Sequence, residues 1–193
     1  YHEFPGDKRI LAAFERSVPL SLPTYRGTTY FGADKGLGGL SHGVGYMDTL
    51  EWLYRLTGKR DYRDGAIWLY EDFQKLTSRD RDMKLELLLD MGRPWQEHTP
   101  HIMEGLHMPA VLHALTGDPR YAQAAANALA KFDRHANPGG GVVGDESVEG
   151  RLGSADMPAE YCNMTEGVSS MKRVLAWARD LDVGHRVERG VLK

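Results

Sequence analysis

The sequence predicts an all-α fold assembled from helical hairpins, about half of a larger helical ring or a short open stack. Two observations predict it. Apolar residues recur at helical spacing along most of the chain, with no convincing run of strand alternation. A motif, Leu-Thr-Gly-x-x-x-Tyr, also appears twice, at Leu56–Tyr62 and Leu115–Tyr121, 59 residues apart. Each copy reads as a helix stopped by a C′ glycine (Gly58, Gly117), a short turn, and a second helix entered near Asp61 or Asp118–Pro119. Repeated hairpins bury their apolar faces only by stacking on neighbours, and three of them do not close a ring.

In chain order, 7–17 (DKRILAAFERS) reads as a first helix, with Ile10, Leu11 and Phe14 on its apolar side. Residues 18–45, with Pro19, Pro23 and seven glycines from Gly27 to Gly45, read as a long loop. A phosphate-loop reading of these glycines fails, because no Gly-Lys-Ser/Thr follows and no strand precedes. Ser41 is placed as the cap of the next helix, whose apolar face is Met47, Leu50, Leu53, Tyr54 and Leu56. The two repeat units follow, at 50–73 and 109–132. A weaker third hairpin is expected from Met171 to Leu192, turning at Asp180–Gly184. Residues 1–193 are together expected to form one partial domain of such a ring, with no second domain among them.

The bulk numbers exclude several classes of function. With 41% hydrophobic and 26% charged residues and a net charge of −3, the chain has no electrostatic footprint for nucleic acid or an anionic membrane. No apolar run approaches membrane-spanning length. A single cysteine rules out an internal disulfide framework. The compartment is not legible.

Three clusters carry candidate chemistry. In Glu160-Tyr161-Cys162, a capping box from Asn163 to Glu166 places the helix start just after Cys162. Glu160 and Cys162 then share a face of extended chain, where the helix dipole favours thiolate and the pair suits Zn²⁺. The ordinary alternative is a buried small hydrophobe beside a surface charge. Glu146 follows a glycine run and lies 14 residues before Glu160; paired carboxylates are the equipment of glycosidic acid/base chemistry, although solvated loop acids look the same. In EHTPHIME, Thr99 as cap and Pro100 start a helix that carries His101 and Glu104 on one face, with His98 just before it. Pro109 is expected to kink this helix. His42, in the glycine stretch, is a further candidate.

Taken in order, HTPHIMEGLHMPAVLHALTGDPRYAQAA, GGGVVGDESVEG and AEYCNMTEGVSSMKRVLAW resemble the catalytic domain of the β-L-arabinofuranosidases, glycoside hydrolase family 127. YMDTLEWLYRLTG and HRVERGVLK resemble other helices of that family, so the likeness covers most of 40–193. The resemblance implies an (α/α)6 toroid and a retaining glycosidase using a zinc-bound cysteine thiolate. It makes Glu146 the general acid/base, Glu160 and Cys162 zinc ligands, and His98, His101 and His42 contacts to the sugar. The family's nucleophile is one of two adjacent cysteines further along, so Cys162 matches a ligand and the zinc site is completed outside these residues. Tyr161 stands where the family has Thr. Two other readings remain: a metal-independent toroid hydrolase, lyase or epimerase, and a non-catalytic helical-repeat binding module.

Overall fold

The computed structural model describes residues 8–26, 39–75, 80–178 and 181–192. They are all-α, without a strand among them; only isolated bridges occur, two within the loop after residue 135 and one between that loop and His98.

Helix α1 (Arg9–Arg26) runs well past the expected end at Ser17, carrying Pro19 and Pro23 within it. A proline inside a helix removes one backbone bond and costs about 3 kcal/mol. Here both prolines face solvent, whereas Val18 and Leu22 are buried in the core. Gly65 is what admits Leu22: a Cβ on it would lie 2.8 Å from Leu22 Cδ2. Burial of this second apolar pair therefore outweighs the local penalty that periodicity alone took as a stop. The expected loop is also shorter at its other end, since α2 (Gly39–Thr57) begins two residues before Ser41, which is not at its first position. Residues 27–38 lie outside the described residues. Met47, Leu50 and Leu53 form the buried face as expected, while Leu56 is exposed.

The repeat is reproduced atom for atom at its turns. Thr57 Oγ1 donates to the Leu53 carbonyl at 2.7 Å and accepts from Lys59 N–H at 3.2 Å. Thr116 Oγ1 does the same with Leu112 and Asp118, at 2.7 and 3.2 Å. Gly58 (φ +68°) and Gly117 (φ +75°) occupy the left-handed region that a side chain resists. From these turns start α3 (Arg60–Phe73) and α7 (Pro119–His135).

The helix before the second turn is not one helix but two, α5 (Thr99–Gly105) and α6 (Met108–Thr116), separated at Leu106–His107. Pro109 cannot bond the Gly105 carbonyl and crowds it, so the expected kink becomes a break. Thr99 is the first helical residue and His98 the cap position, one residue earlier than predicted. The third hairpin is α8 (Tyr161–Ala178) with α9 (Leu181–Leu192). Gly184 sits inside α9, not at a turn, and residues 179–180 between the two helices lie outside the described residues.

Helices α2, α5 and α8 pack side by side, with α5 in the middle, and α3, α7 and α9 each back their own hairpin partner. Between α3 and α5 lie a 3-10 turn (Arg81–Met83) and α4 (Leu85–Leu89), packed on α7. Buried Lys131 of α7 donates to the carbonyls of Leu87 (2.7 Å) and Arg93 (2.8 Å), and Asn127 donates to Leu88. Asp82 receives the N–H groups of Gln96 and Glu97 at 2.6 and 2.8 Å. Fully buried Trp95 stacks on His135, whose ring accepts from Trp95 N–H through Nε2. These bonds fix the chain that delivers His98.

Candidate functional site

The site is assembled where the N-terminal ends of α5 and α8 meet the glycine loop 136–160. The loop is bonded throughout. Asn137 N–H donates to the Gly141 carbonyl at 2.8 Å, Gly144 N–H to Pro158 at 3.0 Å, and Thr99 N–H to Glu146 at 2.8 Å. At Gly144 (φ +133°) a Cβ would strike the Ser147 carbonyl at 2.5 Å, so only glycine makes this bend. The bend turns Glu146 over the start of α5.

Asn163 ties α8 to the same point. Fully buried, it donates through Nδ2 to Thr99 Oγ1 (3.1 Å) and the Val142 carbonyl (3.0 Å). The expected capping box from Asn163 to Glu166 is therefore overturned. The helix starts at Tyr161, and the Asn163 side chain serves tertiary contacts in place of the helix end. Cys162 consequently lies in the first turn, and Glu160 just before it.

Glu146, Glu160 and His98, separated by up to 62 residues of sequence, offer ligand atoms that all lie within 4.8 Å of one another. His98 Nδ1 donates to the Glu146 carbonyl at 2.7 Å and stands 3.5 Å from Glu146 Oε2, which leaves Nε2 as its lone-pair nitrogen. Oε2 of Glu160 is buried and has no hydrogen-bond partner. Cys162 is exposed, not a buried hydrophobe, and its thiol is hydrogen-bonded to Glu160. That hydrogen bond and the Glu160 charge raise the thiol pKa. The expected thiolate is thus opposed: an adjacent carboxylate overrides the helix dipole.

His101 lies in the first turn of α5, its ring edge-on to His98 at 4.4 Å. Its Nδ1 bonds Asp80 Oδ1 at 2.7 Å. Burial pulls the His101 pKa down, but the hydrogen bond and charge of Asp80, with Glu104 and Glu160, raise it above the ordinary value. Glu104 on the same face is half-buried and pushed up to about 7, first by burial and then by Glu166 across on α8. Three of the six residues singled out in the sequence thus converge, His98, Glu146 and Glu160, with His101 against His98 and Cys162 beside Glu160. The side chain of the sixth, His42 in α2, lies outside the described residues.

Sequence reasoning missed Asp80 and Glu166. Asp80 adopts φ +60° in a loop with no motif, and its carboxylate reaches His101 only through the tertiary fold. Glu166 had been assigned to the helix cap. Glu104 was visible on the stripe of His101, but its raised pKa depends on the α5–α8 contact. No protein-family model and no curated protein matches the chain.

Proposed function

We propose that this chain is part of a retaining glycoside hydrolase acting on terminal β-L-arabinofuranosides or related plant-derived sugars, within an (α/α)6 toroid of which these residues form about half. The observation that carries the reading is the convergence of His98, Glu146 and Glu160 beside the Cys162 thiol, with one buried Glu160 oxygen lacking a partner. Nitrogen, carboxylate and sulfur donors are the set that Zn²⁺ takes, and an orphaned buried carboxylate oxygen is what such an ion would satisfy. Glu160 and Cys162 would hold the zinc, with His98 placed as a third ligand in preference to the sugar contact expected of it. When bound, zinc would reverse the local electrostatics and hold a coordinated thiol as thiolate.

This chain's own residues then have distinct tasks. Glu146, 79% exposed and able to swing over the cluster, gives a proton to the leaving oxygen and takes one back from water. Asp80 fixes the tautomer of His101, leaving Nε2 to bond a sugar hydroxyl. His42 is kept as a sugar contact. The thiolate nucleophile of the resemblance is not among residues 1–193, whose only cysteine is Cys162.

Zinc content of the complete protein should be stoichiometric and should fall sharply in Glu160→Gln and Cys162→Ala; equal content in all three would remove the metal from the reading. On the complete protein, a chelator should abolish cleavage of arabinofuranosides. Glu146→Gln should keep its zinc yet lose about 10²–10⁴-fold in rate. One observation favours the metal-free reading: Glu104, pushed up to about 7, is a carboxyl poised for acid/base work near neutrality. Activity that survives chelation but not Glu104→Gln would select it.

A further inference from the structure

A second cleft, of about 760 Å³, opens between α1, α2 and α8, and none of the residues of the first site lines it. Its charged lining is Asp48, Glu51 and Arg55 from α2 with Lys172 and Arg173 from α8. Glu51 is 3% exposed, yet its Oε1 has no hydrogen-bond partner. Arg55 Nε stands 3.7 Å away, beyond hydrogen-bond reach, with its guanidinium over the Trp177 ring. Asp48 is already engaged by His107 Nε2 at 2.7 Å and by Arg173 at 3.1 Å. Burial raises the Glu51 pKa against the opposing charges of Arg55 and Arg173. Buried polar atoms are almost always bonded, so an orphan at the wall of a cleft points to a donor arriving from outside.

The surroundings select that donor. Three cations against two carboxylates disfavour an ammonium group, whereas a hydroxyl can donate to Glu51 without bringing a charge into the cleft. Trp52 and Phe14, edge-to-face at 5.6 Å, add an apolar flank on which the C–H face of a ring can lie. The volume suits a small ligand. We propose that the α1/α2/α8 cleft is a binding site for a neutral polyhydroxylated ligand, a monosaccharide unit, with one hydroxyl donating to Glu51 and the ring resting on Trp52.

Saturation-transfer and amide-shift NMR on this chain, with L-arabinose, D-galactose and D-glucose as probes, tests the assignment. At least one sugar should bind and shift Glu51, Trp52 and Arg173, whether or not residues of the first site also move. Trp52→Ala should weaken binding about tenfold or more. Glu51→Leu should weaken it as much while raising the melting temperature, because an orphaned carboxylate is replaced by an apolar side chain of similar size. Glu160→Gln should leave it unchanged, so failure of the zinc reading and failure of this one are separable. The assignment is overturned if none of the three sugars binds, or if ethylammonium binds in their place. Equal binding by Glu51→Leu, or shifts confined to the first site, would overturn it too.

Discussion

The two repeat units share a turn and differ in the helix that leads into it. In the first unit α2 is continuous over 19 residues; in the second the corresponding stretch is broken into α5 and α6. Both turns use the same threonine back-bond and left-handed glycine. The break matters because α5 can then begin at its own angle, presenting His98, His101 and Glu104 to α8 and the glycine loop. A uniform hairpin is scaffold, whereas a hairpin interrupted at its entry has a helix start free for chemistry. The repeat is kept where turn geometry demands it and lost where the His98–Glu146–Glu160 cluster is assembled.

The largest effect should come from the loop that only the second unit carries. A Cβ on Gly153 would fall 1.9 Å from the Ala136 carbonyl, so Gly153→Ala should cost about 3 kcal/mol or more in urea unfolding. Gly45→Ala, with nothing within 4 Å, is the control that should be nearly neutral. Next, Asn163→Ala removes two buried bonds joining α8 to α5 and the loop and should cost about 2–3 kcal/mol. A loss no larger than that of an exposed substitution would mean that α8 is held by apolar packing alone.

Gly58→Ala and Gly117→Ala should each cost about 1 kcal/mol, and by similar amounts. Clearly unequal losses would break the equivalence of the two turns. The units should also differ in pH response through Glu104. The unfolded Glu104 releases its proton near 4.5, while the folded one holds it to about 7. The folded state therefore binds the extra proton in that window, and stability falls as pH rises from 4.5 to about 7. Glu104→Gln should flatten this part of a melting-temperature profile; an unchanged slope would assign it to other groups. The smallest effect concerns the helix entries. Asp118 accepts from Arg120 N–H, but Lys59 offers no side-chain cap. Asp118→Ala should lower the melting temperature by at most a few degrees, and Lys59→Ala by less.

Local chemistry settled much of this molecule from its sequence. The all-α class, both Leu-Thr-Gly turns, the buried Met47–Leu50–Leu53 face and the helix start at Thr99–Pro100 rest on periodicity, glycine at positive φ and proline at a first turn, and all act within a few residues. Short-range rules also named Glu146, Glu160, Cys162, His98 and His101, although the arrangement they predicted around Cys162 was wrong in two respects. Asn163 serves α5 and the loop, not its own helix end, and the Cys162 pKa is governed by Glu160 more than by the helix dipole. The extension of α1 through two prolines, the Asp80–His101 bond, the raised Glu104 and the orphaned oxygens of Glu51 and Glu160 were decided only in three dimensions. Each depends on burial or on a partner far along the chain, and desolvation and long-range pairing leave no mark on local sequence.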